Sequence, residues 1–187
     1  MNYVLQIEIR LAVPNDVYFF AAQFSVILGA KIGKYYSATG ISKSLMGIFK
    51  TNRTVQSLNE WSLNTIAAVI GIEFTAMGDD FLEAKMPVDH RTHQPLGLLH
   101  GGASVTLAET LGSVAATLCV DETKQFCVGL EINANHIRGV KSGYVNGVAK
   151  PVHIGKKTQV WEIRISTTEG ELVCISRITM AVLDRKN

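Results

Sequence analysis

Residues 101–118 read GGASVTLAETLGSVAATL, a run rich in small and apolar side chains. Its length and its content of Ala, Leu and Val predict one long helix that is buried nearly all round. Four polar side chains stand out against that background, at spacings of three, four and four: Thr106, Glu109, Ser113 and Thr117. These spacings place all four on one stripe of the helix.

The segments around this helix predict strands joined by short turns. Before it, runs over 72–75 and 81–86 flank a turn at 78–80 and predict a hairpin. After it come four strand candidates, at roughly 126–137, 142–152, 156–167 and 171–184. Short connections favour antiparallel neighbours. The sequence therefore predicts an α+β fold in which an antiparallel sheet wraps around one long central helix.

Regular alternation of apolar and polar residues supports two of these strands. Trp161, Ile163 and Ile165 share one side, with Glu162, Arg164 and Ser166 on the other. The second set comprises Leu172, Cys174, Ile178, Met180 and Val182. A period of two is typical of a strand with one face in the core. Upstream, residues 57–70 have apolar spacings that fit a short helix ending near Gly71.

The first 45 residues differ from the rest of the chain. Val17 to Leu28 is mostly apolar but too short for a membrane span of about 20 residues. The positively charged region of a signal peptide is missing before it. Residues 1–45 are an extension of unknown role, either a weakly amphipathic, membrane-touching segment or a stretch upstream of a true start at Met46. The predicted domain covers residues 46–187.

Composition excludes several classes of protein. Among the 187 residues, 47% are apolar and 18% charged, which is typical of a folded chain. A net charge of only +2 gives no reason to expect nucleic acid or stable membrane insertion. The widely spaced Cys119, Cys127 and Cys174 predict buried free thiols in a reducing compartment, and hence a cytoplasmic protein.

Glu109 is the residue of the helix on which chemistry depends. A carboxylate in a buried helix costs free energy unless it is hydrogen-bonded, paired or open to a cavity. No Lys or Arg on the same helix can pair with it. On the residues alone, two interpretations stay open: a structural Glu109 that pairs with a distant Arg, or a Glu109 in a cleft where partial desolvation strengthens it as a base or nucleophile.

The start of the helix is the second candidate for chemistry. His100-Gly101-Gly102 stands where free backbone N–H groups and the positive end of the helix dipole meet, so a thioester carbonyl docked there would find an oxyanion site. His100 is open to interpretation as a metal ligand, a base or an orienting donor. The spacing of His90, His93 and His100 fits no common zinc site, so we expect no metal. Ser104 lies in no nucleophile elbow, which argues against a serine hydrolase.

Three segments carry a resemblance to a known family. They are Gln94-Pro95-Leu96-Gly97-Leu98-Leu99-His100-Gly101-Gly102-Ala103-Ser104 with Ala108-Glu109 and Gly112-Ser113 behind it, Val128-Gly129-Leu130-Glu131-Ile132-Asn133-Ala134-Asn135-His136, and Lys150-Pro151-Val152-His153-Ile154-Gly155. Together they resemble the hotdog-fold thioesterases of the phenylacetate-degradation type. Within that group they are most similar to the hydrolases that act on 1,4-dihydroxy-2-naphthoyl-CoA in menaquinone and phylloquinone biosynthesis. The likeness runs from about Ser57 to Leu183.

The resemblance implies a role for each matching residue. Glu109 would attack the thioester carbonyl or activate water on it, and the Gly101 N–H would polarise the carbonyl oxygen. His100 and Gln94 would position the thioester, and Ser113 would orient Glu109 or the water. The residues implied to hold coenzyme A are Gly129, His136, Ile137, Arg138, Gly139, His153, Ile154, Gly155, Lys156, Lys157, Thr158 and Val182.

Two of these groups also attract attention without the resemblance. His153, Lys156 and Lys157 form a basic cluster at a strand turn that suits phosphates, although a solvated turn is the alternative. His136 and Arg138 alternate along a predicted strand, so both should face the same side.

The resemblance further implies an active site between two subunits and dimers paired into homotetramers. No cofactor is expected, since coenzyme A is part of the substrate. A broad-specificity thioesterase for aromatic and aliphatic acyl-CoA is the main alternative. A hotdog-fold dehydratase that pairs His100 with Glu109, or a non-catalytic acyl-CoA sensor, are the others.

Overall fold

The computed structural model describes residues 47–186, so the predicted extension over residues 1–45 lies outside the described residues. Two short helices and a hairpin precede the long helix, and four strands follow it. The elements are α1 Val55–Trp61, α2 Ile66–Ile70, β1 Glu73–Met77, β2 Leu82–Val88, α3 Gly101–Leu118, β3 Gln125–His136, β4 Gly143–Ile154, β5 Thr158–Thr167 and β6 Leu172–Asp184.

The six strands form one antiparallel sheet in the order β1-β2-β4-β5-β6-β3. Helix α3 packs against β2, β3, β4, β5 and β6. Its buried side chains meet the inward faces of the strands, where Trp161, Ile163 and Ile165 are fully buried as the alternation predicts. The predicted α+β hotdog fold is confirmed. No helix in the described part of the chain is long and apolar enough to cross a membrane.

The contact between α3 and the sheet is close at Gly112. A Cβ atom at Gly112 would lie 2.4 Å from Cγ2 of Ile178 on β6, so the Ile178 side chain or the helix would have to shift to admit it. A glycine is therefore required where the helix crosses the sheet. This contact fixes the height of α3 above β6.

The prediction that α3 is buried nearly all round is wrong. Leu107, Leu111 and Ala115 are fully buried, but Glu109 is exposed. The stripe defined by Thr106, Glu109, Ser113 and Thr117 is at least partly open in the single chain, because the sheet covers only one side of the helix. The many Ala and Gly residues elsewhere on α3 made the whole helix look like core in the sequence.

The prediction of one helix over residues 57–70 is also wrong. The segment forms α1 and α2, separated by a break in which Asn64 has a φ of 63° and Thr65 precedes α2 as its N-cap. Asn adopts this left-handed conformation more readily than most residues, and polar Ser and Thr favour helix boundaries. The predicted end is confirmed, because Gly71 caps α2 with a φ of 76°.

The thiols behave as the sequence predicts. All three cysteines are free, with Cys119 and Cys174 buried and Cys127 half-buried. Burial raises the pKa of Cys119 to about 12 and that of Cys127 to about 11. These thiols are therefore protonated at neutral pH and serve as small apolar side chains.

The two edges of the sheet differ. Along β1, the Asn59 side chain acts as a substitute strand: its Nδ2 donates to the Phe74 carbonyl at 3.0 Å, and its Oδ1 accepts from the Phe74 N–H at 2.8 Å. Along β3, no strand from residues 47–186 pairs with the outer side. An unpaired edge readily adds another strand, so β3 is the edge open to a partner.

We expect Asn59→Ala to destabilise the fold by about 1–3 kcal/mol, since it leaves two partly buried backbone groups of Phe74 without partners. Chemical denaturation measures this difference. Gln56→Ala, at an exposed position of the same helix, is the matched control and should stay within about 0.5 kcal/mol of the wild type. Equal losses in both variants would contradict the role of Asn59 at the edge.

Candidate active site

The first turn of α3 leaves one backbone donor without a partner. The N–H of His100 donates to the Thr92 carbonyl at 2.8 Å, and that of Gly102 donates to Nδ1 of His100 at 2.7 Å. The N–H groups of Ala103 and Ser104 both donate to the His100 carbonyl. Among residues 47–186 no acceptor meets the N–H of Gly101. This N–H therefore points an open donor out of the positive end of the helix.

The capping bond also fixes how His100 can act. Because Nδ1 accepts from the Gly102 N–H, the neutral ring carries its proton on Nε2 and presents a donor there. The ring is exposed, so a ligand can reach it. Of the three roles left open for His100, this geometry favours the orienting donor.

The three histidines considered for zinc do not converge. His93 Nε2 lies 2.9 Å from the Lys141 carbonyl, His100 caps α3, and His90 lies beside Asp89. Across residues 47–186 no group of three or more His, Cys, Asp or Glu side chains could hold a metal ion. The expectation of a metal-free site stays a prediction.

A cleft of about 270 Å³ opens beside the Gly101 N–H. It brings together six residues that the sequence had singled out: Gln94, Gly101, His136, Ile137, Arg138 and Gly139. The Gln94 Oε1 accepts from the Leu96 N–H at 2.8 Å, which leaves its amide NH₂ as the free donor. The cleft therefore gathers hydrogen-bond donors, which suits a carbonyl oxygen as the ligand.

The remaining lining residues were not predicted as site residues: Leu98, Leu99, Ser104 and Val173. Val173 belongs to β6, and its carbonyl accepts from the N–H groups of Ile137 and Arg138. Nothing in the sequence near Val173 indicates this contact, since strand pairing alone brings it to the cleft.

The side chain of His136 lies close to Gly101. A Cβ atom at Gly101 would lie 2.8 Å from Nε2 of His136.

The expectation that His136 and Arg138 alternate on one strand is wrong, because β3 ends at His136 and Arg138 follows in the loop. Both nevertheless line the cleft, where Arg138 pairs with Glu171 at 3.3 Å.

Glu109 lies outside this cleft. Its side chain is exposed, and within residues 47–186 no cation or hydrogen-bond donor pairs with it, which contradicts the structural interpretation for the part of the chain described. A desolvating cleft within the same chain is also wrong. Of the residues implied to hold coenzyme A, Gly129 on β3 lies beside Glu109: a Cβ atom at Gly129 would lie 3.6 Å from Oε1 of Glu109. Gly129 and Glu109 are thus neighbours, as their implied roles require.

Two turns of helix separate Glu109 from the open donor. Glu109 is eight positions after Gly101, which corresponds to about 12 Å along the helix and about 80° around it. A carbonyl bound to the Gly101 N–H stays within about 3 Å of that nitrogen. To meet its carbon, the same chain's Glu109 would have to reach back along about two turns of the helix and from a different side.

The other polar residues of the stripe have local partners. The hydroxyls of Thr106 and Thr117 donate to the helix carbonyls of Gly102 and Ser113 at 2.9 Å. The Ser113 hydroxyl lies 3.8 Å from Sδ of Met180. Its role in orienting Glu109 or a water molecule stays a prediction.

The basic cluster lies at the turn between β4 and β5, as expected. A second cavity, of about 390 Å³, is lined there by Ile154, Gly155, Lys156, Lys157 and Val182. His153 and Thr158 flank the turn, and a Cβ atom at Gly155 would lie 2.5 Å from Nε2 of His153. The residues implied for coenzyme A thus fall into three places: the cleft, Gly129 beside Glu109, and this turn.

Comparison with known proteins gives a consistent result. Residues 96–174 match the model of the thioesterase superfamily. The chain is 53% identical over 136 residues to the 1,4-dihydroxy-2-naphthoyl-CoA hydrolase of Escherichia coli, covering 73% of this chain and 99% of that protein. It is 52% identical to the proofreading thioesterase EntH of Cronobacter turicensis, covering 73% of this chain and 98% of that protein.

Solved structures agree. The crystal structure of a thioesterase variant from Pseudomonas aeruginosa superposes with a TM-score of 0.73 at 51% identity, covering 74% of this chain and all of that one. Two crystal structures of a Staphylococcus aureus protein at 37% identity have TM-scores of 0.62 and 0.61, cover 64% and 63% of this chain, and 99% and 97% of that one. In these two variants a glutamate and a glutamine, fifteen positions apart, are each replaced by alanine.

We expect His100→Ala to destabilise the protein by about 1 kcal/mol, because the Gly102 N–H loses its capping acceptor. His100→Asn should retain most of that stability, since Asn is among the preferred N-cap residues. Thermal or chemical unfolding of the three proteins measures the effect. An alanine variant as stable as the wild type would show that the cap contributes nothing.

Proposed function

The chain belongs to the thioesterase superfamily with the hotdog fold, and from this premise we propose that it hydrolyses aromatic acyl-CoA thioesters by means of Glu109, with 1,4-dihydroxy-2-naphthoyl-CoA of menaquinone biosynthesis as the first candidate. The observation that carries the proposal is the Gly101 N–H, which has no acceptor among residues 47–186 and lies at the edge of a cleft rich in donors. The free thiols fit a reaction in the reducing cytoplasm.

The choice of acyl group rests on the relatives. The Escherichia coli hydrolase supports the naphthoyl substrate, while a relative at nearly the same identity is named for a proofreading role instead. A broad-specificity aromatic and aliphatic acyl-CoA thioesterase is therefore the second candidate. The ratio of kcat/KM for naphthoyl, benzoyl and aliphatic CoA thioesters decides between the two.

In the proposed reaction the thioester carbonyl oxygen accepts a hydrogen bond from the Gly101 N–H. The Nε2–H of His100 and the amide of Gln94 hold the thioester in the cleft. As the attacking oxygen adds to the carbonyl carbon, negative charge grows on the carbonyl oxygen, where the open N–H and the helix dipole stabilise it. The C=O double bond then re-forms as the C–S bond breaks. The acyl carbon gains an oxygen from water, and coenzyme A leaves as a thiol.

Glu109 acts on the opposite side of the carbonyl. Two routes use the same carboxylate: direct attack to form an anhydride that water then hydrolyses, or removal of a proton from an attacking water. Labelling with ¹⁸O-water in a single turnover distinguishes them. Only the anhydride route transfers an unlabelled oxygen from Glu109 into the first acid released.

The distance between Gly101 and Glu109 supports a site built from two copies of the chain. One chain offers the donor and not the attacking carboxylate, since they are about 12 Å apart along α3. The open edge of β3 provides a route to the second copy. When two such edges pair antiparallel, the Gly129 end of one, beside Glu109, approaches the His136 end of the other, beside Gly101. Pairing of dimers into tetramers is part of the same proposal.

A second line of support comes from spacing. Gln94 and Glu109 are fifteen positions apart, the same separation as the glutamine and glutamate replaced in the Staphylococcus aureus variants.

The dehydratase alternative pairs a His with a carboxylate. Within one chain it is not favoured, since the His100 ring caps α3 two turns away from Glu109.

We expect Glu109→Ala to lower the rate of thiol release from benzoyl-CoA by at least about a hundredfold, the scale of a lost base or nucleophile. The matched control is Glu60→Gln, an exposed carboxylate of α1. An unimpaired Glu109→Ala protein, or no release from any aromatic CoA thioester by the wild type, would rule out the proposal. Binding without release by the wild type would instead indicate a sensor.

The oxyanion role of Gly101 can be isolated with two substitutions. Proline is well accepted at the first position of a helix, so Gly101→Pro removes the N–H while α3 can still begin there. Gly101→Ala keeps the N–H but places a Cβ against His136 in the same way. We expect kcat to be lower in the proline than in the alanine variant by about two to three orders of magnitude. Equal rates would show that the N–H is not used.

A further inference from the structure

The second cavity holds more positive charge than the residues implied for coenzyme A account for. Besides Lys156 and Lys157 from the turn between β4 and β5, it is lined by Lys50, which precedes α1. We propose that Lys50 binds the phosphate-bearing nucleotide end of the acyl-CoA, as a third cation of this cavity. The inference rests on the proposed function and extends it to a residue outside the segment that matches the superfamily model.

Lys50 belongs to a well-anchored segment. The N–H of Lys50 donates to the Leu118 carbonyl at 2.7 Å, and the N–H of Ile48 donates to the Asp79 carbonyl at 2.8 Å. Between them, the ring of Phe49 stacks parallel to Trp161, with 6.4 Å between the ring centroids. Since the backbone of this segment is already anchored, an anion bound by Lys50 has to order the lysine side chain but not the backbone that carries it.

The three lysines differ in how much of their charge is available. Lys157 pairs with Asp184 at 3.2 Å, but Lys50 and Lys156 have no carboxylate partner among residues 47–186. Lys150, by comparison, lies 3.8 Å from Asp80. Cations without a partner around a cavity attract an anion, and a phosphate can satisfy several ammonium groups at once.

Lys50 lies at the carboxyl end of α3, where the helix dipole is negative and disfavours an anion. Local hydrogen bonds already occupy the last carbonyls. The Ala116 carbonyl accepts from Cys119, Cys127 and Gln159, and the Leu118 carbonyl accepts from Lys50. The three lysines must outweigh what remains of the dipole. A competing role for Lys50, that of stabilising the helix end alone, predicts lower stability without a change in substrate binding.

The walls and the position of the cavity favour a nucleotide over a free inorganic anion. Val120, Ile154 and Val182 provide an apolar surface beside the lysines. In the sheet, Thr158 pairs with Ala181, next to the pair of Met180 with Gly129. The turn is therefore about two strand spacings, or about 10 Å, from the neighbour of Glu109. Coenzyme A carries phosphates at one end and the thioester at the other, and so can reach from one place to the other.

The test compares two thioesters of the same acid, benzoyl-CoA and benzoyl-N-acetylcysteamine, which lacks the nucleotide. In Lys50→Met we expect KM for benzoyl-CoA to rise about three- to tenfold at low ionic strength, with kcat unchanged, as for one lost charged contact. KM for the truncated thioester should not move. Lys50→Arg should restore the KM for benzoyl-CoA. The matched control is Lys150→Met, which removes a lysine that does not line the cavity.

Three outcomes would overturn the inference: an unchanged KM for benzoyl-CoA, an equal rise for both thioesters, or a loss of thermal stability alone. Calorimetric titration with adenosine 3′,5′-bisphosphate separates this inference from the proposed function. Should the wild type hydrolyse no thioester, weaker binding of this nucleotide in Lys50→Met would still support Lys50 as a nucleotide contact. Unchanged binding would contradict it.

Discussion

The geometry of one helix governs the rest of the molecule. Helix α3 carries the open N–H of Gly101 at its start and the side chain of Glu109 two turns later, about 12 Å further along the helix axis. Because the rise of a helix is fixed, the two backbone positions cannot approach each other, and the rotation of about 80° between them turns the two groups to different sides of α3. The sheet that wraps α3 leaves the stripe with Glu109 open, and no strand of the described residues pairs with the outer edge of β3. All three features agree if a second copy completes the site.

At the start of α3 each polar group has one defined hydrogen-bonding role. His100 satisfies the Gly102 N–H with Nδ1 and thereby presents a donor on Nε2, while its own carbonyl takes the next two N–H groups. In this first turn only the Gly101 N–H has no acceptor among residues 47–186, and a Cβ beside it would displace the His136 ring. A glycine and a histidine at this helix start are thus explained by hydrogen bonding and packing, independently of any relative.

Much of this arrangement could be predicted from the sequence, because α3, the hairpin and the strands have clear periodicity. The break between α1 and α2 could not, since the apolar spacing continues across Asn64. The exposure of Glu109 was missed because small side chains resemble core whether or not a sheet covers them. Val173 and Lys50 were not predicted as site residues for another reason. Strand pairing brings Val173 to its cavity and tertiary contact brings Lys50 to its own, and neither kind of contact produces a local sequence pattern.

The most direct test of the account is complementation between two inactive variants. A mixture of Glu109→Ala and Gly101→Pro chains, unfolded and refolded together, forms mixed pairs in which one chain supplies Gly101 and the other Glu109. With random pairing, about a quarter of the wild-type sites are intact, so we predict a return to about a quarter of wild-type thioesterase activity. A mixture no more active than either variant alone would contradict a site shared between two copies.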